Sequence, residues 1–316
     1  MLVWTIFIAC VLVFLALDLG VFHKNNHVIK SKEAGIWTAI WVSVALAFSG
    51  VIYWLFSSGL TENPTGLTPN DAVLKYITGY LIELSLSIDN VFVIAVIFSA
   101  FKIPPLYQHR VLFWGILGAI IFRALMIVFG VALITKFEWI IYVFGVFLLY
   151  TAFKMLKSDE EDFNPKNSFV FKQLKKLYPI TTQLNGQDFF IKKMGVRAAT
   201  PLFVALIVIE LTDILFALDS IPAILAITAD PFIVFSSNIL AILGLRSMYF
   251  LISRMLAKFR FINYSLVVIL AFVGLKMLSA HFIHLPEWVS LTVISVSLIS
   301  GVLASLFIPE EENKVA

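Results

Sequence analysis

Two acidic clusters lie inside apolar stretches long enough to cross a bilayer: Glu-Leu-Ser-Leu-Ser-Ile-Asp-Asn at 83–90 and Glu-Leu-Thr-Asp-Ile-Leu-Phe-Ala-Leu-Asp-Ser at 210–220. A charged side chain at the centre of a membrane helix costs about 2.5–3.5 kcal/mol on insertion scales, and it marks an ion or proton path by default. The spacing is shared: Glu83 and Asp89 are six residues apart, and so are Asp213 and Asp219.

The remainder of the chain supports a membrane setting. Hydrophobic residues make up 60% of the 316 and charged residues 14%, against about 45–50% and about 25% in a soluble domain. The expected fold is an all-α polytopic membrane protein. A net charge of +3 is too small to indicate nucleic acid. The single cysteine, Cys10, rules out a disulfide framework within the chain and reads as a small packing residue.

Apolar runs of about 20 residues predict nine spans: 2–21, 36–57, 72–100, 111–134, 138–156, 201–228, 231–256, 262–280 and 287–308. The first has no basic stretch before it and no small-residue cleavage site after it, so it reads as a retained span. Thr200-Pro201, Asp230-Pro231 and Leu285-Pro286-Glu287 have the form of capped helix starts. Basic residues gather on one side: Lys24, Lys30, Lys32, Lys102, Arg110, Lys154, Lys157, the Lys-rich 166–197 segment, Arg254, Lys258 and Arg260. Lys75 and Lys136 lie on the other. That bias predicts an outside N-terminus and an inside C-terminus. In the long 157–199 loop, the acidic run at 159–162 reads as solvated surface, and 169–177 as a candidate interfacial helix.

Three pairs of residues suggest an internal repeat. Glu83…Asp89-Asn90 aligns with Asp213…Asp219-Ser220, Arg123 with Arg246, and Lys154-Met155-Leu156 with Lys276-Met277-Leu278. The unit is three helices, spans 3–5 and 6–8. Three is odd, so the second copy runs inverted, an architecture that places a transporter's site near the midplane. The chain then reads as one transmembrane domain over 1–316: leading helices over 2–57, repeat 1 over 72–156, a cytoplasmic loop over 157–199, repeat 2 over 201–280 and a final helix over 287–308.

The candidate site follows from what the spans carry. Acids are Asp18, Glu83, Asp89, Glu210, Asp213 and Asp219; bases are Arg123, Arg246 and Lys276. Three negative charges are left over, which protonation or a divalent cation would balance. Ser85, Ser87, Asn90, Thr212, Ser220 and Asn238 add oxygen donors, whereas His23, His27, His109, His281 and His284 fall near span ends or in loops. Oxygen sites suit Mg²⁺, Ca²⁺ and Mn²⁺. Glu83, Ser87 and Asn90 share a helical face, with Asp89 about 120° away, so a shared site would draw one acid from each repeat. Pro222 has no N–H for the carbonyl of Leu218, which predicts either a broken helix beside Asp219 or a packing kink. Expected metal contacts are Glu83, Asp89, Asn90, Glu210, Asp213 and Asp219. Asp18, Arg123, Arg246, Lys276 and Pro222 support them.

The chain resembles the TerC family of integral membrane proteins. The resemblance rests on Leu-Asp-Leu-Gly-Val-Phe-His at 17–23, Glu-Leu-Ser-Leu-Ser-Ile-Asp-Asn-Val-Phe-Val at 83–93 and Ala-Thr-Pro-Leu-Phe at 199–203. It continues through Glu-Leu-Thr-Asp-Ile-Leu-Phe-Ala-Leu-Asp-Ser-Ile-Pro-Ala at 210–223 and Asp-Pro-Phe-Ile-Val-Phe-Ser-Ser-Asn-Ile-Leu-Ala-Ile-Leu-Gly-Leu-Arg at 230–246. It covers nearly the whole chain without a major departure. It implies a multi-spanning cation exporter in the bacterial cytoplasmic membrane, for Mn²⁺ with Ca²⁺ as the alternative, and no permanently bound cofactor. The family's name comes from tellurite resistance, but tellurite is an oxyanion that an acid-rich site would repel. The competing reading is a membrane scaffold for a stress-response or protein-insertion complex, with its acids held in salt bridges. An enzyme is not expected: His-Glu-x-x-His, Gly-x-Ser-x-Gly and a plausible Ser–His pair within the spans are all missing.

Overall fold

The computed structural model describes residues 2–22, 31–63, 66–137, 139–157, 179–181, 183–193, 196–253, 261–279, 282 and 285–307, without the side chains of 18–22, 89, 192, 193, 196 and 287. The elements are α1 (Leu2–Phe22), α2 (Ser31–Ser57), α3 (Pro69–Ala100), α4 (Pro105–Lys136), α5 (Ile140–Lys157), β1 (Phe190–Lys193), β2 (Val196–Ala199), α6 (Pro201–Leu225), α7 (Pro231–Leu243), α8 (Leu245–Ile252), α9 (Ile262–Ser279) and α10 (Glu287–Phe307). Seven helices are individually long and apolar enough to cross a membrane. The pair α7 and α8 passes as an eighth, bent by 42°. The chain is thus an all-α multi-pass membrane protein.

Helices α2, α3 and α4 begin three to six residues before the expected spans because polar and proline-rich first turns extend them. Thr68 caps α3, its hydroxyl accepting from the Asp71 N–H at 3.2 Å, and Pro69 follows at the first turn, where its missing N–H costs nothing. Asp230 caps α7 by accepting from the N–H groups of Phe232 and Ile233, both at 3.0 Å. Thr200 precedes α6 but donates its hydroxyl elsewhere, to the Asp188 carbonyl at 2.7 Å.

Pro222 does not break its helix. Helix α6 runs through it to Leu225, with Pro222 buried among Ile221, Ala223 and Ile224, and the Ala226 N–H bonds back to the Pro222 carbonyl at 3.0 Å. One missing hydrogen bond in the last turn is tolerated where packing fixes both sides. The break falls one helix later, at Gly244. The 157–199 segment also holds order that the sequence does not reveal, the antiparallel β1–β2 hairpin. The proposed interfacial helix at 169–177 and His23, His27, His281 and His284 lie outside the described residues.

Aromatic edges fasten α1: Trp4 and Phe7 meet Phe232 of α7 at 5.3 and 5.6 Å, and Phe14 meets Trp41 of α2 at 5.6 Å. Helices α3, α4, α6 and α7 form the buried centre, with α5 and α9 packed together beside them. Glycine sets two of the closest approaches. Across α5 and α9, a Cβ on Gly145 would lie 3.1 Å from the Gly274 carbonyl and 3.0 Å from Leu278, while one on Gly274 would lie 2.9 Å from the Gly145 carbonyl and 3.0 Å from Leu149. The contact is reciprocal: each glycine meets the other and the leucine four residues past it. On α4, Gly130 receives Leu225 of α6, whose Cδ1 would lie 2.9 Å from an added Cβ.

Candidate functional site

Arg123 organises the centre. It sits in an apolar stretch of α4, is 1% exposed, and is the largest fully buried side chain among the described residues. An unpaired charge there would be untenable, so the neighbouring helices supply acceptors. Asp213 of α6 takes a two-pronged bond, from Nε to Oδ2 at 3.1 Å and from Nη2 to Oδ1 at 2.8 Å. Nη1 donates to Glu83 Oε1 of α3, and more distantly to Ser220 Oγ at 3.4 Å and Asn238 Oδ1 at 3.5 Å. Asn238 of α7 in turn donates from Nδ2 to Glu83 Oε2 at 3.0 Å, and Asn90 Nδ2 donates to Asp213 Oδ1 at 3.3 Å.

Four helices therefore meet on one guanidinium. Asp213 is the thirteenth of the 25 residues of α6, so the cluster lies at the middle of an apolar helix. Glu83, Ser87 and Asn90 are buried along one face of α3, as their spacing requires. The cluster is not fully satisfied: Asn90 Oδ1 and Ser87 Oγ are buried without a hydrogen-bond partner. Asn90 and Asp213 also line a cavity of about 20 Å³, walled by Thr212, Ile94, Ile116 and Phe216. That is room for about one water molecule or ion.

The structure separates the remaining residues. Asp219, six positions along α6 from Asp213, looks toward α5, where Thr151 donates to its Oδ1 at 2.9 Å. Glu210 is half-buried, with its carboxylate pressed onto the backbone of α4 at Gly118, where any added Cβ would collide with it; its Oε2 has no hydrogen-bond partner. Lys276 of α9 donates to Ser290 Oγ of α10 at 3.0 Å. Arg246 is buried in α8, two residues beyond the Gly244 bend. The side chains of Asp18 and Asp89 lie outside the described residues. Among those described, no group of three or more His, Cys, Asp or Glu side chains is placed to hold a metal ion. The assembled donors are instead two carboxylates, two amides and a hydroxyl.

Sequence reasoning missed Thr151 and Gly118. Thr151 is one hydroxyl in an apolar span, with nothing to mark its partner. Gly118 follows Gly115 three residues on, a small-residue pattern that signals close helix approach but not that a carboxylate would fill the notch.

The profile of the integral membrane protein TerC family matches residues 68–313. A membrane protein of Myxococcus xanthus is 50% identical over 303 residues, covering 96% of this chain and 91% of its own. A membrane protein of Rickettsia bellii is 42% identical over 303 residues, covering 96% of each chain. The Alx protein of Escherichia coli, whose name proposes a membrane-bound redox modulator, is 42% identical over 308 residues, covering 97% of this chain and 93% of its own. No solved structure matches the chain. With a profile spanning most of its length and relatives aligned almost end to end, this chain belongs to the TerC family of integral membrane proteins.

Proposed function

We propose that the chain exports a divalent metal cation, Mn²⁺ with Ca²⁺ as the alternative, across the bacterial cytoplasmic membrane by exchange with protons. The observation that carries this reading is the meeting of Glu83 and Asp213, one carboxylate from each three-helix unit, on a single positive charge at the middle of the bundle. Oxygen donors alone surround that point, and hard cations prefer them. This reading counts nine spans, with α1 and the bent α7–α8 pair each crossing once, and takes the N-terminus as outside and the C-terminus as inside from the bias of basic residues. Single cysteines at Ser168 and Thr65 test this: an impermeant thiol reagent on intact cells should label position 65 and spare 168.

The metal sites proposed are Glu83, Asn90 and Asp213 at the centre, with Asp89, Glu210 and Asp219 along the ion or proton path. The test is flux into proteoliposomes under an imposed pH gradient, with Mn²⁺, Ca²⁺, Zn²⁺ and tellurite each in turn. Mn²⁺ should move, faster than Zn²⁺, and tellurite should not. Faster Zn²⁺ flux would show that the ligands have been misjudged, and tellurite flux lost in Asp213→Asn would defeat the cation reading.

One observation favours a scaffold instead. Arg123 already neutralises much of the charge on Glu83 and Asp213, as an ion pair serving structure alone would. That reading gains if purified protein neither binds nor moves any divalent ion. A direct redox role fits this chain less well: its one cysteine, Cys10, is exposed on α1 and has no second cysteine in the chain to pair with. A redox effect here would run through metal supply.

A further inference from the structure

We propose that Arg123 is a tethered cation that occupies the substrate's own oxygen cage, so that the guanidinium and the transported ion exclude one another. This rests on the transport reading above. Five oxygens accept from the guanidinium: Glu83 Oε1, both oxygens of Asp213, Ser220 Oγ and Asn238 Oδ1. Glu83 Oε2 and the unpartnered Asn90 Oδ1 border the same cluster. Seven oxygens with two negative charges match the six to eight ligands that a Ca²⁺-like site takes. The centre that such an ion would fill is where the guanidinium now lies.

Charge decides which occupant wins. With Arg123 seated, two carboxylates face one positive charge, and the cage stays net negative. A divalent ion in its place brings the sum to zero, and adding it without moving Arg123 leaves an excess positive charge in an apolar interior, which is severely penalised. A monovalent ion offers no more charge than the guanidinium and competes against a group held at high effective concentration. The tether therefore selects for divalent ions, and it halves the negative charge left in the cage between transport events.

The displaced side chain has a second berth. Gly118 lies five residues before Arg123 on α4, about 7.5 Å along the axis and about 140° round it, within the sweep of a long arginine side chain that swings out of the cage. There the Glu210 carboxylate, one turn before Asp213 on α6, rests on the α4 backbone with Oε2 unpartnered. Moving from Asp213 to Glu210 would keep Arg123 paired while the cage holds the metal.

The experiment is an EPR titration of Mn²⁺ onto purified wild type, Arg123→Ala, Arg123→Lys and Glu210→Gln, each checked for monodispersity. Arg123→Ala should bind Mn²⁺ at least tenfold more tightly than wild type, and millimolar guanidinium should compete with Mn²⁺ in that variant but not in wild type. Arg123→Lys, which keeps the charge but loses the fork, should bind several-fold more tightly. Glu210→Gln should bind several-fold more weakly, having lost the second berth. Equal or weaker Mn²⁺ binding in a folded Arg123→Ala overturns the proposal, and if that variant does not fold, the same result in Arg123→Lys overturns it. Wild-type vesicles that move no Mn²⁺ sink the transport reading itself, whereas wild-type flux with no tightening in either arginine variant sinks the tether alone.

Discussion

Asp213 and Asp219 share one helix, and their hydrogen-bond partners differ in kind. Asp213 is buried against a guanidinium and an amide, inside a four-helix cluster. Asp219 is half-buried and accepts from a single neutral hydroxyl, that of Thr151. Six residues advance a helix by about 600°, a net 120°, so the same spacing that makes the two acidic clusters look alike sends these two carboxylates to different helices. Asp213 is built to hold a cation, and Asp219 to sit at a polar seam between α5 and α6. Under the transport reading, binding belongs to the first and passage to the second.

The largest expected effect comes from Asp213. Asp213→Asn should abolish saturable Mn²⁺ binding and lower proteoliposome flux by at least about 100-fold, because an amide keeps the shape but not the charge a hard cation needs. Wild-type binding in this variant would erase the distinction between the two acids. Next is Asp219→Asn, expected to remove flux while leaving equilibrium Mn²⁺ binding within about threefold of wild type. If binding falls as it does in Asp213→Asn, both residues belong to one site. Gly118→Ala tests the seam between α4 and α6: the new methyl group would displace Glu210, an overpacking worth about 1–3 kcal/mol. It should lower thermal stability in detergent, and adding Glu210→Ala should restore it. Thr151→Val is the smallest. It removes one hydrogen bond, worth about 1 kcal/mol, and flux should fall less than tenfold; full loss would make Thr151 a carrier in its own right.

Much of the bundle was legible because a membrane leaves few choices. The apolar runs located the helices to within several residues, and the buried face of Glu83, Ser87 and Asn90 followed from period alone. Arg123 was legible as a costly charge and as the counterpart of Arg246 in an expected repeat, but not as the hub. The alignment of the acidic clusters pointed to one acid from each, but not to which pair, nor to Arg123 lying between Glu83 and Asp213, 130 residues apart. The break at Gly244 was not legible, and for a clear reason. Proline advertises disruption, and Pro222 drew the expectation, whereas Gly244 sits at φ −77° and ψ −14°, ordinary helical values that any residue could adopt. Gly244 packs near Trp41 of α2, a contact that sequence does not disclose.

The α5–α9 crossing has a mechanical consequence. Side chains normally interlock two helices like gear teeth, so that relative motion requires each tooth to change rotamer. Where Gly145 and Gly274 meet, each glycine lacks a tooth of its own, and Leu278 and Leu149 sit in the notches they leave. Such a crossing is a bearing. Under the inverted-repeat transport reading, the two units would rock about it through a limited arc, and the close approach survives only while both positions remain glycine.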